Sequence, residues 1–281
     1  MTSEAIALVA ISPDHLEGAV RLSQQAGWPH RREDWRMALA LSEGCAAVSA
    51  RGNRVIGTAL MTPYGSDAAT INMVIVDASA RGRGLGRRLM DEVLSLAGDR
   101  SLRLVATESG LPLYEKLGFR MSGAVVQHQG HVARPVAAPA GIRPAQPDDI
   151  PAITELDRAA YGADRGSLMS HLAAIGSLAV LERGGRPVGF SALRPFGRGE
   201  VIGPVVAANL DDANALASHF LAARCGAFLR IDTDATTAIG PWLAGIGLAH
   251  VDGGIAMHRP IVARPEGRSV FTFALANQAF G

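Results

Sequence analysis

Cysteine, lysine, aromatic side chains and net charge are all scarce in this 281-residue chain, and each scarcity closes off a class of function. The two cysteines, Cys45 and Cys225, lie in different halves, so no disulfide framework holds the fold. Neither thiol sits in an activating motif, and both are read as small buried hydrophobes. Lys+Arg of 27 against Asp+Glu of 26 leaves a net charge of +1, with Lys116 as the single lysine. Such a balance supplies no field to draw in nucleic acid or an anionic membrane, so neither is expected as a partner. No run approaches the ~18 uninterrupted apolar residues of a membrane span. Met1 to Ile11 carries Glu4 and no basic cluster before its short apolar run, which is the wrong layout for a secretory signal, and a cytoplasmic location is expected.

What is present is a globular composition, 48% hydrophobic and 19% charged, in a chain long enough for two domains. The stretch Ala133-Arg134-Pro135-Val136-Ala137-Ala138-Pro139-Ala140-Gly141 reads as a linker and splits the chain nearly in half, into 1–136 and 137–281. The halves look alike. Pro13-Asp14-His15-Leu16 has a counterpart in Pro147-Asp148-Asp149-Ile150, each with Pro and acidic residues suited to a helix start. Val55-Ile56-Gly57 matches Pro187-Val188-Gly189, and Leu117-Gly118-Phe119 matches Ile246-Gly247-Leu248. A duplicated unit is the economical reading.

Within the first unit, alternating runs predict strands over 5–11, 45–50, 55–61, 70–76 and 102–106, with a turn at Arg51-Gly52-Asn53. Helices are predicted over 13–25, 32–41 and 111–117, and Leu85, Leu89 and Val93 form the apolar stripe of another. That order gives an α/β class with a mixed sheet.

The most informative segment runs from the strand Val74-Ile75-Val76-Asp77 through Arg81-Gly82-Arg83-Gly84-Leu85-Gly86-Arg87-Arg88 into that helix. Glycines let backbone approach a ligand, N–H groups at a helix start face an anion, and arginines add charge-assisted donors, so the segment suits a pyrophosphate. A P-loop would need Lys then Ser or Thr where Arg87-Arg88 stands, and a dinucleotide fingerprint starting at Gly84 would need glycine or alanine at Leu89.

The loop resembles the acyl-CoA loop of GNAT-type N-acetyltransferases, and Ala106-Thr107-Glu108-Ser109-Gly110-Leu111-Pro112-Leu113-Tyr114-Glu115-Lys116-Leu117-Gly118-Phe119 is similar to the strand-then-helix end of that superfamily. Ala26-Gly27-Trp28, Asp34-Trp35 and the closing segment from Val270 to Gly281 extend the likeness to a bacterial family of tandem GNAT proteins, in which a complete N-terminal domain is joined to a degenerate acetyltransferase-like one. The resemblance implies two tandem GNAT-like folds, a catalytic domain over 1–136 and a degenerate one over 137–281. It further implies acetyl-CoA as co-substrate, no metal, and direct attack of a primary amine on the thioester.

On that resemblance Val74, Ile75, Val76, Arg81, Gly82, Arg83, Gly84, Leu85, Gly86 and Arg87 hold the cofactor, with a backbone N–H along 74–76 as oxyanion donor. Tyr114 is similar to the tyrosine that protonates the departing thiolate; its other reading is a packing residue. Glu108 stands where many superfamily members carry asparagine, and is either a base or anchor for the amine or a solvated loop carboxylate. Thr107 either bonds the substrate or ends the strand. Trp28, His30, Asp34 and Trp35 fall on elements that roof the acceptor pocket, although Trp35 has helical core spacing, and Asn72 is a further acceptor-side candidate. His128 and His131 lack a third ligand for a metal.

The expected reaction is acetyl transfer to a small-molecule amine. A non-catalytic acyl-CoA or metabolite sensor and a protein acetyltransferase are the alternatives. An ungapped alignment of Met73-Val74-Ile75 on Pro204-Val205-Val206 puts Asp212 opposite Arg81 and Ala215 opposite Gly84, so the second half is expected not to bind CoA. It is expected to complete the acceptor pocket or to form the subunit interface of a homodimer, with Arg194 and Gly203-Pro204 as contacts across domains, and to fold as an isolated 137–281 fragment.

Overall fold

The computed structural model describes residues 5–49, 54–260 and 267–281; the turn Arg51-Gly52-Asn53 lies outside them. The first half runs β1 (Ile6–Ala10), α1 (Leu16–Gln25), α2 (Arg32–Leu41), β2 (Glu43–Ser49), β3 (Val55–Tyr64), β4 (Ala68–Val76), α3 (Leu85–Ala97), β5 (Ser101–Ala106), α4 (Leu111–Lys116) and β6 (Arg120–His131). The second repeats the order as β7 (Ile142–Pro144), α5 (Ile150–Tyr161), α6 (Gly166–Ile175), β8 (Ser177–Arg183), β9 (Arg186–Phe196), β10 (Gly199–Ala207), α7 (Leu210–Leu221), β11 (Phe228–Asp234), α8 (Ile239–Gly245) and β12 (Ala249–Arg259), and then adds β13 (Phe271–Ala274).

The repeat is visible in how the first helix of each half begins. A proline fixes the opening turn in both. The residue two beyond it, His15 or Asp149, reaches back to accept a backbone N–H, from Ser12 at 3.0 Å and from Gln146 at 2.7 Å. The stripe Leu85, Leu89 and Val93 is buried under α3 together with Met90 and Ala97, and Leu216 and Phe220 are buried under α7.

The described strands form a single thirteen-stranded sheet in the order β1-β2-β3-β4-β5-β12-β6-β11-β13-β10-β9-β8-β7. The two halves are therefore not beads on a linker. The strand after β5 in the chain, β6, lies away from β5 and pairs with β11, from Phe228↔His131 to Asp234↔Val125. In exchange β12 pairs with β5, from Ile255↔Ala106 to Arg259↔Leu102. At the centre β6 and β12 are antiparallel, and Val125 faces Gly254, the residue that the Leu117-Gly118-Phe119 and Ile246-Gly247-Leu248 alignment makes its equivalent. The molecule thus has an internal two-fold seam, like the isologous interface of a dimer made within one chain.

Packing follows the exchange. On one face α3 and α7 cover separate clusters, each taking in residues exchanged from the other half, Met257 of β12 under α3 and Val132 under α7. On the other, Leu16, Leu22 and Trp35 of α1 and α2 share one core with Ile153, Leu168 and Leu172 of α5 and α6. For the expectation that 137–281 folds alone this arrangement sets a cost: the fragment would lose β6 from between β11 and β12 and expose its side of the shared core. Cysteine placement is half corrected. Cys45 is buried, and burial with nearby Glu92 pushes its thiol up to about 11, whereas Cys225 is exposed in the turn before β11.

Candidate active site

The site begins with a local break in β4. Met73 adopts a left-handed backbone, φ +49°, an uncommon conformation for a residue with a side chain. Thr58 Oγ1 donates to Met73 O at 2.7 Å, and the β3–β4 register shifts between Thr58 and Leu60. This bulge turns the strand. The parallel β4–β5 ladder holds only from Ala68↔Ser101 to Thr70↔Arg103 and then opens. Ile75 and Val76 consequently keep β3 on one edge, Val74 falls in the bulge, and none of the three has a strand on the other edge among the described residues.

Below the opened strands lies the glycine and arginine loop. Arg81 is exposed and its Nε donates to Val76 O at 3.1 Å, tying the loop to the strand end. Gly84 is the N-cap of α3 in the left-handed conformation, φ +76°, and Gly82 shares that conformation at +73°. Leu85, Gly86 and Arg87 begin the helix, so their N–H groups join the positive end of its dipole. Arg83 and Arg88 are exposed beside it, while Arg87 is turned along the helix to Asp91 at 2.8 Å. Open parallel strands above a free helix start flanked by cations fit an extended, phosphorylated thioester such as acetyl-CoA.

At the end of β5, Thr107 accepts from Gly110 N at 3.3 Å and shares a 3.1 Å hydrogen bond with Ser109 Oγ, so it shapes the entry to α4. Tyr114 is buried on α4 with its ring edge-on to Phe119, 6.1 Å between centroids. Burial pushes its phenol up to about 12, which keeps it protonated across the neutral range. Glu108 is exposed on the same loop.

Thr107 and Glu108 open onto a cleft of about 1120 Å³ built by both halves. The first half contributes Trp28, His30, Asn72 and Met73, and the seam strands contribute Gln127, Asp252 and Gly254. Phe196, Arg198, Arg230 and Gln278 arrive from the second half. Asn72 is buried, with Nδ2 donating to Thr62 Oγ1 at 2.8 Å and Oδ1 without a partner. Trp28 stands edge-on to His30, which stands edge-on to Phe196. Burial, aided by Arg230 and Arg194 and opposed by Asp34, pulls His30 down to about 4.

Trp35 belongs to the core, with Nε1 donating to Ser23 Oγ at 2.8 Å, and Asp34 ties the halves together by accepting from Gly197 N at 3.1 Å. Of the second-half residues of the cleft, Gln278 lies in the closing segment and the others carry no motif; the signal that could have found Arg230 is its repeat equivalence to Arg103, since both are the third residue of equivalent strands. Arg194 does cross between halves, 3.6 Å from Asp34, whereas Gly203 packs within its own half. His128 and His131 turn ring nitrogens to Leu248 O and Gly226 O, and no metal-binding group occurs among the described residues.

The equivalent place in the second half is filled. β10 and β11 also start parallel, Glu200↔Leu229 and Val201↔Arg230, and also open. There β13 inserts, pairing Val205↔Ala274 and Ala207↔Phe271 on one side and Thr233↔Ala274 on the other. A Cβ on Gly203 would sit 1.8 Å from Leu275 O, so glycine is what admits the inserted chain. The loop is shortened as well. Only Ala208 and Asn209 join β10 to α7, the Asn209 side chain accepts from Asp212 N at 3.0 Å, and Asp212 is paired with Arg183. The ungapped alignment is corrected here: Asp212 lies inside the first turn of α7, because the residues equivalent to Arg81 and Gly84 are deleted, not replaced.

Comparison with known proteins finds the same kind of domain in both halves. Two family models, each described as an acetyltransferase (GNAT) domain, match residues 42–121 and 153–270. The uncharacterized N-acetyltransferase YitH of Bacillus subtilis is 28% identical over 230 residues, covering 80% of this chain and 81% of that protein. Among solved structures, a Pyrococcus horikoshii protein superposes with a TM-score of 0.82 at 19% identity, covering 100% of this chain and 98% of its own. A tandem GNAT protein from the clavulanic acid biosynthesis pathway superposes with a TM-score of 0.64 at 17% identity, covering 90% and 98%. These likenesses share the fold.

Proposed function

We propose that the N-terminal half of this chain, which belongs to the GNAT acetyltransferases as a tandem of two such domains, transfers the acetyl group of acetyl-CoA to a primary amine of a small molecule. The observation that carries the reading is the contrast at the opened strands: β4 and β5 leave a slot that runs into the shared cleft, and β10 and β11 have theirs occupied by β13.

Bound acetyl-CoA supplies an activated thioester. The residues of this chain do the rest. Arg81, Arg83 and the N–H groups of Gly86 and Arg87 hold phosphate, and backbone donors along 74–76 face the thioester oxygen and stabilise the charge that develops there. The Glu108 carboxylate draws in the amine and takes its proton, directly or through water. A neutral amine oriented by Asn72 and the Trp28 wall then attacks with no acyl-enzyme, so proximity supplies much of the rate. As the adduct collapses the C–S bond breaks and the proton shed by its nitrogen passes through water to the CoA thiolate, while Tyr114, kept protonated by its raised pKa, steadies that thiolate with a hydrogen bond. A small acceptor suits a cleft whose roof is pinned by Asp34 to the second half, for an extended peptide would need an open groove. Thiol release measured over a library of small amines and lysine peptides, against acetyl-CoA hydrolysis as background, tests the reading. Turnover with peptides alone would replace it with protein acetylation, and acetyl-CoA binding with no turnover would replace it with a sensor.

A further inference from the structure

The second-half wall of the cleft carries more positive charge than the fold uses. Behind that wall Arg194 and Arg230 of the second half and Arg31 of the first gather around two carboxylates, Asp34 of the first half and Asp232 of the second, so three cations face two anions, with a further exposed arginine, Arg198, on the cleft rim. Asp34 is fully engaged by Arg31 at 3.0 Å and by Gly197 N. Arg194 is only 2% exposed, stands 3.6 Å from that same Asp34, and leaves Nε and Nη2 without partners. Burial lowers it to about 10, which still leaves it charged at neutral pH. Arg230 gives Nε and Nη2 to the fully buried Asp232, at 3.0 and 2.9 Å, and its Nη1 has no partner among the described residues. Both guanidiniums flank the Phe196 ring, 4.9 and 5.2 Å from its centroid, with His30 on the same ring. A buried cation left short of partners is expensive unless something compensates it.

The opposite end of the cleft is acidic, with Glu108 after β5 and Asp252 on β12, and no arginine or lysine beside them in the lining. The cleft is therefore polarised from one half of the molecule to the other. Building on acetyl transfer to a small amine, we propose that the acceptor is bifunctional: its amine lies toward Glu108, and an anionic group at its far end docks on Arg230 and Arg198, with Arg194 behind them adding positive charge that it shares with Asp34. Three strand spacings separate β5 from β11, about 14 Å between backbones, which the long Arg230 side chain shortens. An extended ω-amino acid or an amino phosphate fits that span. The second half then has a function its lost cofactor site does not reveal: it selects the acceptor.

The test compares matched probes. Calorimetric titration of the CoA-loaded protein with 4-aminobutanoate, 6-aminohexanoate and 8-aminooctanoate is set against butylamine, hexylamine and octylamine, and phosphoethanolamine is set against ethanolamine. At least one anionic member binds tenfold or more tightly than its neutral partner, and the pair in which it does so tells carboxylate from phosphate. Arg198→Gln, on the exposed rim, cuts that preference several-fold. The double variant Arg230→Gln/Asp232→Asn removes both charges of the buried pair, strands neither, and erases the preference. Neutral members that bind as well as anionic ones in every pair would overturn the proposal, whether or not they are acetylated. Thiol release is read separately: anion-selective binding without thiol release would uphold the subsite while refuting acetyl transfer to small amines.

Discussion

The two halves run through the same order of strands and helices, yet one keeps an open slot between its parallel strands and the other has it filled. In the first half the strand after the bulge at Met73 runs into a loop of eight residues with two left-handed glycines before α3. In the second, two residues make the same connection and Asn209 caps the helix with its own side chain. The difference teaches how such a site is lost without losing the fold. Helix and sheet need the apolar stripe, and Leu216 and Phe220 keep it. The stretch Arg81 to Gly84 is exposed and touches no core, so its deletion costs little, and once the slot is free a strand of the same chain can complete the ladder. The seam makes the loss tolerable, because a filled second half still supplies β12 to the first and a wall to the cleft.

The comparison breaks most sharply at Tyr114, which has no tyrosine equivalent before Ile246-Gly247-Leu248. Tyr114→Phe lowers kcat by ~10²–10⁴-fold with little change in the KM for acetyl-CoA, the signature of a group needed as the thiolate leaves. Steady-state kinetics over pH 6–9 check it, and wild-type turnover would assign Tyr114 to packing against Phe119.

The helix pairs of the two halves are locked differently. In the second, Arg165 and Asp157 form a fully buried ion pair, with Arg165 also donating to Gly281 O at 2.6 Å. In the first, the Trp35–Ser23 hydrogen bond spans α1 and α2. Asp157→Ala strands a buried cation and costs about 3–5 kcal/mol, while Ser23→Ala leaves one buried N–H unpaired and costs about 1–3 kcal/mol. Urea denaturation ranks the two. Equal losses would mean the ion pair is no more critical than the hydrogen bond.

His30 sits where the halves meet and titrates at about 4 in the fold against an ordinary 6.5. Between those values the unfolded chain binds more protons, so stability is full above pH 7 and falls as pH drops from 6.5 through 4. His30 contributes up to ~3 kcal/mol of that fall. His30→Gln flattens the acid limb of a plot of Tm against pH; an unchanged limb would place the titration elsewhere.

The smallest effect is expected at Gly84. Nothing lies within 4 Å of where its Cβ would point, so Gly84→Val acts through its left-handed backbone, with a strain of about 1–3 kcal/mol that weakens acetyl-CoA binding ~10–100-fold. Calorimetry on the folded variant reads it, and unchanged affinity would remove the loop from the site.

Much of this was legible in the sequence because the signals are local. The stripe at Leu85, Leu89 and Val93, the helix over 32–41, the glycine loop and the duplicated Pro-Asp openings each depend on neighbours a few residues away. The exchange of β6 and β12 was not legible, since a strand's alternation names the face it buries and not the strand beside it. The same limit hid β13 as a plug, Arg230 as a wall of the cleft, and the left-handed Met73, whose side chain carries no mark of a bulge. The deletion before α7 was missed because an ungapped alignment converts lost residues into apparent substitutions.

The central claim is that each chain has one working cofactor slot, the one between β4 and β5. Isothermal titration of the full-length protein with acetyl-CoA measures it most directly. One equivalent binds per chain, and in the Gly84→Val variant that single event weakens with no second one remaining. Two equivalents per wild-type chain, or one that survives unweakened in Gly84→Val, would contradict the account.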